Sequence, residues 1–150
     1  MDRSGLPPAA WAATLAGVGS GEEIRVLLCD DAPGFRALVR YTLDEDPDLV
    51  IVGEAGDGEA GLRAVAELRP DVVLLDISMP RLQGLDAIAA MIERSPGSRV
   101  VALSGYTAEE MAGAALARGA SAYVEKGTGA AAIRAAIRTA AAAPHRPASA

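Results

Sequence analysis

Along the chain, short apolar runs alternate with stretches in which apolar positions return every three or four residues. Ile24 to Cys29, Leu49 to Val52, Val72 to Leu75, Val100 to Leu103 and Ala122 to Val124 are almost uninterrupted, the pattern of strands buried on both faces. Between them, Phe35, Leu38, Val39 and Leu43, then Leu62, Val65 and Leu68, then Leu85, Ile88, Ala89 and Ile92 have helical spacing. Pro33 starts the first of these helices, predicted over 33–45, and Pro47 breaks it. Gly56-Asp57-Gly58 is a turn, and Thr107 with Glu110 is a capping box for a fourth helix that runs to about Arg118 and stops at Gly119. Thr128 is expected to cap a last helix, with Ile133, Ala136, Ile137 and Ala140 on one face. Five strands alternating with five helices, each link long enough for one helical crossover, predict an α/β protein with a doubly wound parallel sheet. Right-handed crossovers bring all strand C-termini to one edge, where ligands of such sheets sit.

Composition sharpens this picture at a few points. The chain has 150 residues, enough for one domain. It is 51% hydrophobic but only 3% aromatic, so Ala, Val, Leu and Ile must build the core. A net charge of −6 lacks the basic excess that phosphate-backbone contacts need, which argues against nucleic-acid binding by this chain. The single cysteine, Cys29, excludes an internal disulfide and reads as a buried strand residue. No apolar run is long enough to cross a membrane. The start of the chain lacks a basic leader, since Arg3 is offset by Asp2 and Pro7-Pro8 interrupts the apolar stretch, so a cytoplasmic location is expected. Residues 1–23 form an N-terminal extension, flexible or a short docking helix with Trp11, Leu15 and Val18 at i, i+4 and i+7. Residues 24–141 are the folded domain, and 142–150 a disordered Ala/Pro-rich tail.

The chemistry gathers on the predicted edge. Asp30 and Asp31 follow the first strand, Asp76 ends the third, Ser104 the fourth, and Lys126 follows the fifth. Each has a bland reading alone: a helix cap, an acidic turn, a surface charge. Together they put three carboxylates and one ammonium in one place. Carboxylates a few ångströms apart repel by about 4 kcal/mol per pair at an effective dielectric of 20, so a divalent cation is the natural compensation. Magnesium takes one or two carboxylates, waters and phosphate oxygens, and Asp31, Asp76 and the backbone carbonyl of Ser78 offer such a partial shell. Its open positions suit a phosphoryl group. Asp76 is then the nucleophile, with Lys126 and the Ser104 hydroxyl sharing the phosphoryl oxygens and Gly105 leaving room for backbone approach.

With these residues in place, the chain resembles the receiver domain of bacterial two-component response regulators. The resemblance covers about Ile24 to Ala141 and rests on Asp30-Asp31, on Asp76-x-x-Met79-Pro80-x-x-x-Gly84, on Ser104-Gly105 and on Tyr123-x-x-Lys126. It implies a flavodoxin-like sheet of strand order 2-1-3-4-5, Asp76 as phosphoacceptor, and Asp30 and Asp31 in magnesium binding. It further implies Ser104 as the switch hydroxyl, Tyr123 as the switch aromatic, and Lys126 in contact with the phosphoryl group. The implied partner is a histidine kinase or histidine phosphotransfer protein, and the implied output is a partner protein or homodimer on the surface of the fourth helix, fifth strand and fifth helix. Ser78 and Tyr106, two residues beyond the acceptor and the switch hydroxyl, are expected to tune dephosphorylation. The family often has proline after the lysine, where this chain has Gly127.

Rival readings differ in specific residues. Phosphatases that pass through an aspartyl phosphate usually carry a second acid two residues after the nucleophile, where this chain has Ser78, so turnover of free substrates is not expected. A degenerate receiver acting as a phosphorylation-independent scaffold would lack part of the set, which is complete here. Flavin binding is weak, since aromatics to sandwich a ring are scarce. The Ala/Pro-rich end also reads as a linker, so the alternatives are a stand-alone receiver or the receiver part of a longer DNA-binding regulator. His145, the sole histidine, lies between prolines and is neither a metal site nor a base.

Overall fold

In the computed structural model, which describes residues 23–79 and 84–143, the apolar runs form one five-stranded parallel sheet of order β2-β1-β3-β4-β5. The elements are β1 (Ile24–Cys29), α1 (Pro33–Asp44), β2 (Leu49–Ala55), α2 (Gly58–Leu68), β3 (Val72–Asp76), α3 (Gly84–Arg94), β4 (Arg99–Ser104), α4 (Ala108–Ala117), β5 (Ala122–Glu125) and α5 (Ala130–Ala142), with a 3-10 turn at Lys126–Thr128. Successive strand residues face opposite sides, and each side has its own core. Leu27, Cys29, Val73, Leu75, Val100 and Ala102 meet Val65 of α2, Ile88 and Met91 of α3 and Ala115 of α4. Val26, Leu28, Leu74, Val101 and Leu103 meet Val39 and Leu43 of α1 and Ile133 and Ile137 of α5. The continuous Val/Leu runs therefore follow from burial on both faces.

Most predicted boundaries hold within two residues. The second strand is longer than its apolar run: β2 continues through Gly53 and Glu54 to Ala55, because β1 goes on pairing with it past a register shift at Val26/Leu27. Thr128 does not cap the last helix. Its hydroxyl donates to the Glu125 carbonyl at 2.7 Å and closes the 3-10 turn, and Gly129, at φ +98°, occupies the cap position of α5. The Thr107–Glu110 capping box is present in full, and Gly119 at φ +110° follows the fourth helix. Asp57 in the predicted turn caps α2 by accepting from the Ala60 amide at 2.9 Å. The N-terminal extension, but for Glu23, and residues 144–150 of the predicted tail lie outside the described residues, as does Pro80. None of the described helices is long and apolar enough to cross a membrane.

Candidate functional site

Strand register carries the chemistry to one edge. Cys29 pairs with Leu75, Asp76 with Leu103, and Ser104 with Glu125, so Asp30, Asp76, Ser104 and Lys126 emerge together at the C-terminal ends of four adjacent strands. Oxygens of Asp30, Asp31 and Asp76 lie within 4.8 Å of one another. Asp30 and Asp76 are buried, while Asp31 is exposed at the mouth.

Asp30 divides its carboxylate between two tasks. Oδ1 accepts from the Ala32 amide at 2.8 Å, an Asx turn ahead of α1 and not the helix cap of the bland reading, since the cap residue is Ala32 and no side chain caps the helix. Oδ2 lies 2.6 Å from Lys126 Nζ but in poor hydrogen-bond alignment, and it has no hydrogen-bond partner. The Asp30 carbonyl accepts from Arg36 at 2.6 Å. Asp76 accepts the Ser78 amide on Oδ1 at 2.8 Å and Lys126 Nζ on Oδ2 at 3.1 Å. Burial raises the Asp76 carboxyl above its ordinary range, with the Asp30 charge adding to it, although the Ser78 amide and Lys126 pull the other way. For Lys126 burial favours the neutral amine, but the contacts to Asp30 and Asp76 outweigh it and hold the ammonium above its usual pKa. Beside the site, burial together with the Asp30 charge pushes the Cys29 thiol up to about 12, so it is inert.

Three carboxylates against one ammonium leave a local excess of negative charge, and the buried Asp30 Oδ2 meets the Lys126 ammonium but has no hydrogen bond to satisfy it. An all-oxygen donor set of this kind fits a hard divalent cation such as magnesium.

Ser104, Tyr106 and Tyr123 form a second group beside the first. The Ser104 hydroxyl is buried and accepts from the Tyr106 amide at 3.0 Å, and the Tyr106 carbonyl accepts from the Tyr123 hydroxyl at 2.7 Å. The Ser78 and Tyr106 residues are exposed. A Cβ added at Gly105 meets nothing within 4 Å, so the space expected there is open. At Gly84 a Cβ would drive into the carbonyl group of Ile77, which explains why the run that follows Asp76 ends in glycine.

Two contributors were not legible as such. Phe35 places its ring 4.6 Å from Lys126 Nζ, although helical spacing assigns it only to the core. Glu125 accepts from the Ala108 amide at 2.6 Å and ties the end of β5 to the start of α4. The available signal was position, since both flank the strand ends that carry the site.

The chain matches the response regulator receiver domain family over residues 26–138. The nitrate/nitrite response regulator protein NarL of Escherichia coli is 39% identical over 105 residues, 70% of this chain and 49% of NarL. A protein-glutamate methylesterase/protein-glutamine glutaminase of Maricaulis maris is 40% identical over 104 residues, 68% of this chain and 26% of that enzyme. The chain thus spans about half the length, or less, of these curated relatives. Among solved structures, the response regulator domain of Thermotoga maritima CheB is 30% identical, with a TM-score of 0.74 over 82% of this chain and 99% of that domain. The matched span takes in four strands whole, all of β1 but its first two residues, and the edge they build, and the chain belongs to the response regulator receiver domain family of two-component signalling.

Proposed function

We propose that Asp76 accepts a phosphoryl group from the phosphohistidine of a histidine kinase or histidine phosphotransfer protein. An Asp76 oxygen attacks phosphorus as the P–N bond breaks, its electron pair returns to the imidazole, and an aspartyl phosphate forms. The observation that carries this reading is the placement of Asp76, 2% exposed at the end of β3, with Lys126 Nζ on one carboxylate oxygen and the Ser78 amide on the other. Asp30, Asp31 and Asp76, with the Ser78 carbonyl, would hold magnesium, which when bound neutralises charge on the acids and on phosphoryl oxygens. Lys126 turns its ammonium from Asp76 to the new phosphoryl oxygens. Ser104 follows, trading the Tyr106 amide for the phosphoryl group, and Tyr123 relays the change to the surface of α4, β5 and α5. Tyr106, in the loop before α4, and Leu116, in α4, are 56% and 44% accessible, and the surface of α4, β5 and α5 is where an output partner or second copy docks. On this reading the chain catalyses only its own phosphorylation and dephosphorylation.

The test is intact-mass analysis after incubation with magnesium and a small acyl phosphate. A labile phosphoryl adduct is expected on the wild type and absent from Asp76→Ala and from a chelated control. A folded wild type that forms no adduct defeats the proposal in favour of a scaffold.

A further inference from the structure

Lys126 Nζ has three partners, and the reading above, on which this inference rests, requires two of them to change. Asp30 Oδ2 at 2.6 Å turns to the cation, and Asp76 Oδ2 at 3.1 Å gives way to the phosphoryl group. The third partner is the face of Phe35, 4.6 Å from Nζ to ring centroid. An aromatic face has no ligand to lose. That distance lies well inside the roughly 6 Å over which a ring quadrupole attracts an ammonium, and the attraction strengthens as water is withdrawn. Here water is largely withdrawn, since the Lys126 side chain is 24% exposed.

The ring is itself held firmly. Phe35 sits in the first turn of α1, two residues after Pro33 with Gly34 between, and packs half-buried against the core shared by α1 and α5. The neighbouring Arg36 fixes the same turn to the Asp30 carbonyl. Lys126, by contrast, stands on a 3-10 turn beside Gly127 and Gly129, the latter at positive φ. A long, rotamer-rich side chain on such a turn swings away from the site unless something other than the exchanging carboxylates retains it. We infer that Phe35 is a positioning residue for Lys126, the constant partner that keeps the ammonium over the site while its carboxylate partners are passed to the cation and the phosphoryl group.

The experiment compares wild type, F35L, F35Y and F35W in the full chain. Adduct formation is timed at subsaturating acyl phosphate with magnesium, and the Lys126 ε-methylene protons are followed by NMR. F35L, which keeps the bulk but loses the aromatic face, is expected to slow adduct formation roughly two- to five-fold, while F35Y and F35W stay near wild type. The second readout asks whether the contact persists: F35L, which has no ring current, gives the unshifted reference, and a ring that merely packs nearby would not keep its shift on Lys126 once the carboxylates are exchanged. In the wild type the Lys126 protons are ring-shifted upfield and stay so when magnesium and a beryllium fluoride phosphoryl mimic are added, whereas in F35L the shift is lost. Wild-type rates in F35L overturn the inference, as does a wild-type ring shift that disappears with the mimic. If F35L fails to fold, the wild-type shift with and without the mimic decides alone. Failure of the underlying phosphoacceptor reading looks different, because the wild type itself then forms no adduct.

Discussion

The Tyr123 hydroxyl donates to the Tyr106 carbonyl at 2.7 Å, and the amide of the same Tyr106 donates to the Ser104 hydroxyl at 3.0 Å. One residue's backbone thus joins the buried serine of β4 to the aromatic ring of β5. If Ser104 turns to a phosphoryl group, the Tyr106 amide loses its acceptor. Its hydrogen-exchange protection should fall in the phosphorylated protein, and should fall likewise in unphosphorylated Ser104→Ala. Equal protection in all three states would sink the coupling.

Asp76 should weaken the metal-free fold it serves. Burial raises its carboxyl pKa in the folded state, so the stability it contributes is present at low pH and lost as pH rises through the folded value. With magnesium chelated at neutral pH, Asp76→Asn should therefore melt higher, by about 4 °C for a gain of about 1 kcal/mol. The difference should vanish below the ordinary carboxylate range, and magnesium should stabilise the wild type more than the variant. Thermal melts across pH, with and without the metal, check both parts.

The opposite sign is expected at the far end of the sheet. Arg138 of α5 holds both oxygens of Asp48, at 2.6 and 2.9 Å, and this hydrogen bonding lowers the Asp48 pKa. A lowered folded pKa gives stability that is present above the unfolded value and is lost as pH falls through the folded one. Arg138→Gln should cost under about 1 kcal/mol at neutral pH, less in high salt and nothing in strong acid, since the pair is exposed. Urea midpoints at several pH values and salt concentrations measure it.

Two glycines should respond in opposite directions. Gly84→Ala pushes a methyl into the Ile77 carbonyl group and should cost about 1–3 kcal/mol, with weaker magnesium binding as the segment after Asp76 shifts. Gly113→Ala, inside α4 with nothing within 4 Å of the new methyl, should add about 0.5–1 kcal/mol. Denaturation midpoints of both variants, with a magnesium titration of the first, test the contrast.

Ser78 and Tyr106 are exposed, and on the proposed reading, with Asp76 as acceptor and Ser104 as switch hydroxyl, they would flank the path of a hydrolytic water. Substituting either should change the lifetime of the aspartyl phosphate more than its rate of formation. Decay followed by intact mass after removal of the phosphodonor gives the answer, and unaltered decay in both variants counts against the role.

The fold was legible because burial on both faces writes parallel strands as plain Val and Leu runs, and the acid-rich edge followed from crossover handedness. Where an apolar run stopped early, as at Gly53-Glu54, pairing with β1 carried β2 further than hydropathy could indicate. Thr128 has the chemistry of a helix cap, but the 3-10 turn leaves its hydroxyl facing back toward Glu125. That Asp30, Asp31, Asp76 and Lys126 come together was legible because each stands at or just beyond the C-terminal end of a strand. Phe35 was missed because an apolar residue at helical spacing is already explained by the core, and its second use depends on a lysine 91 residues away.

β3 is flanked by neighbours on both sides and covered on both faces, whereas β5 is a four-residue margin strand paired only with β4. On the proposed reading, an event at Asp76 would strike backbone braced on both edges and both faces. The anvil would stay still, and the displacement would emerge at the margin, two strands away.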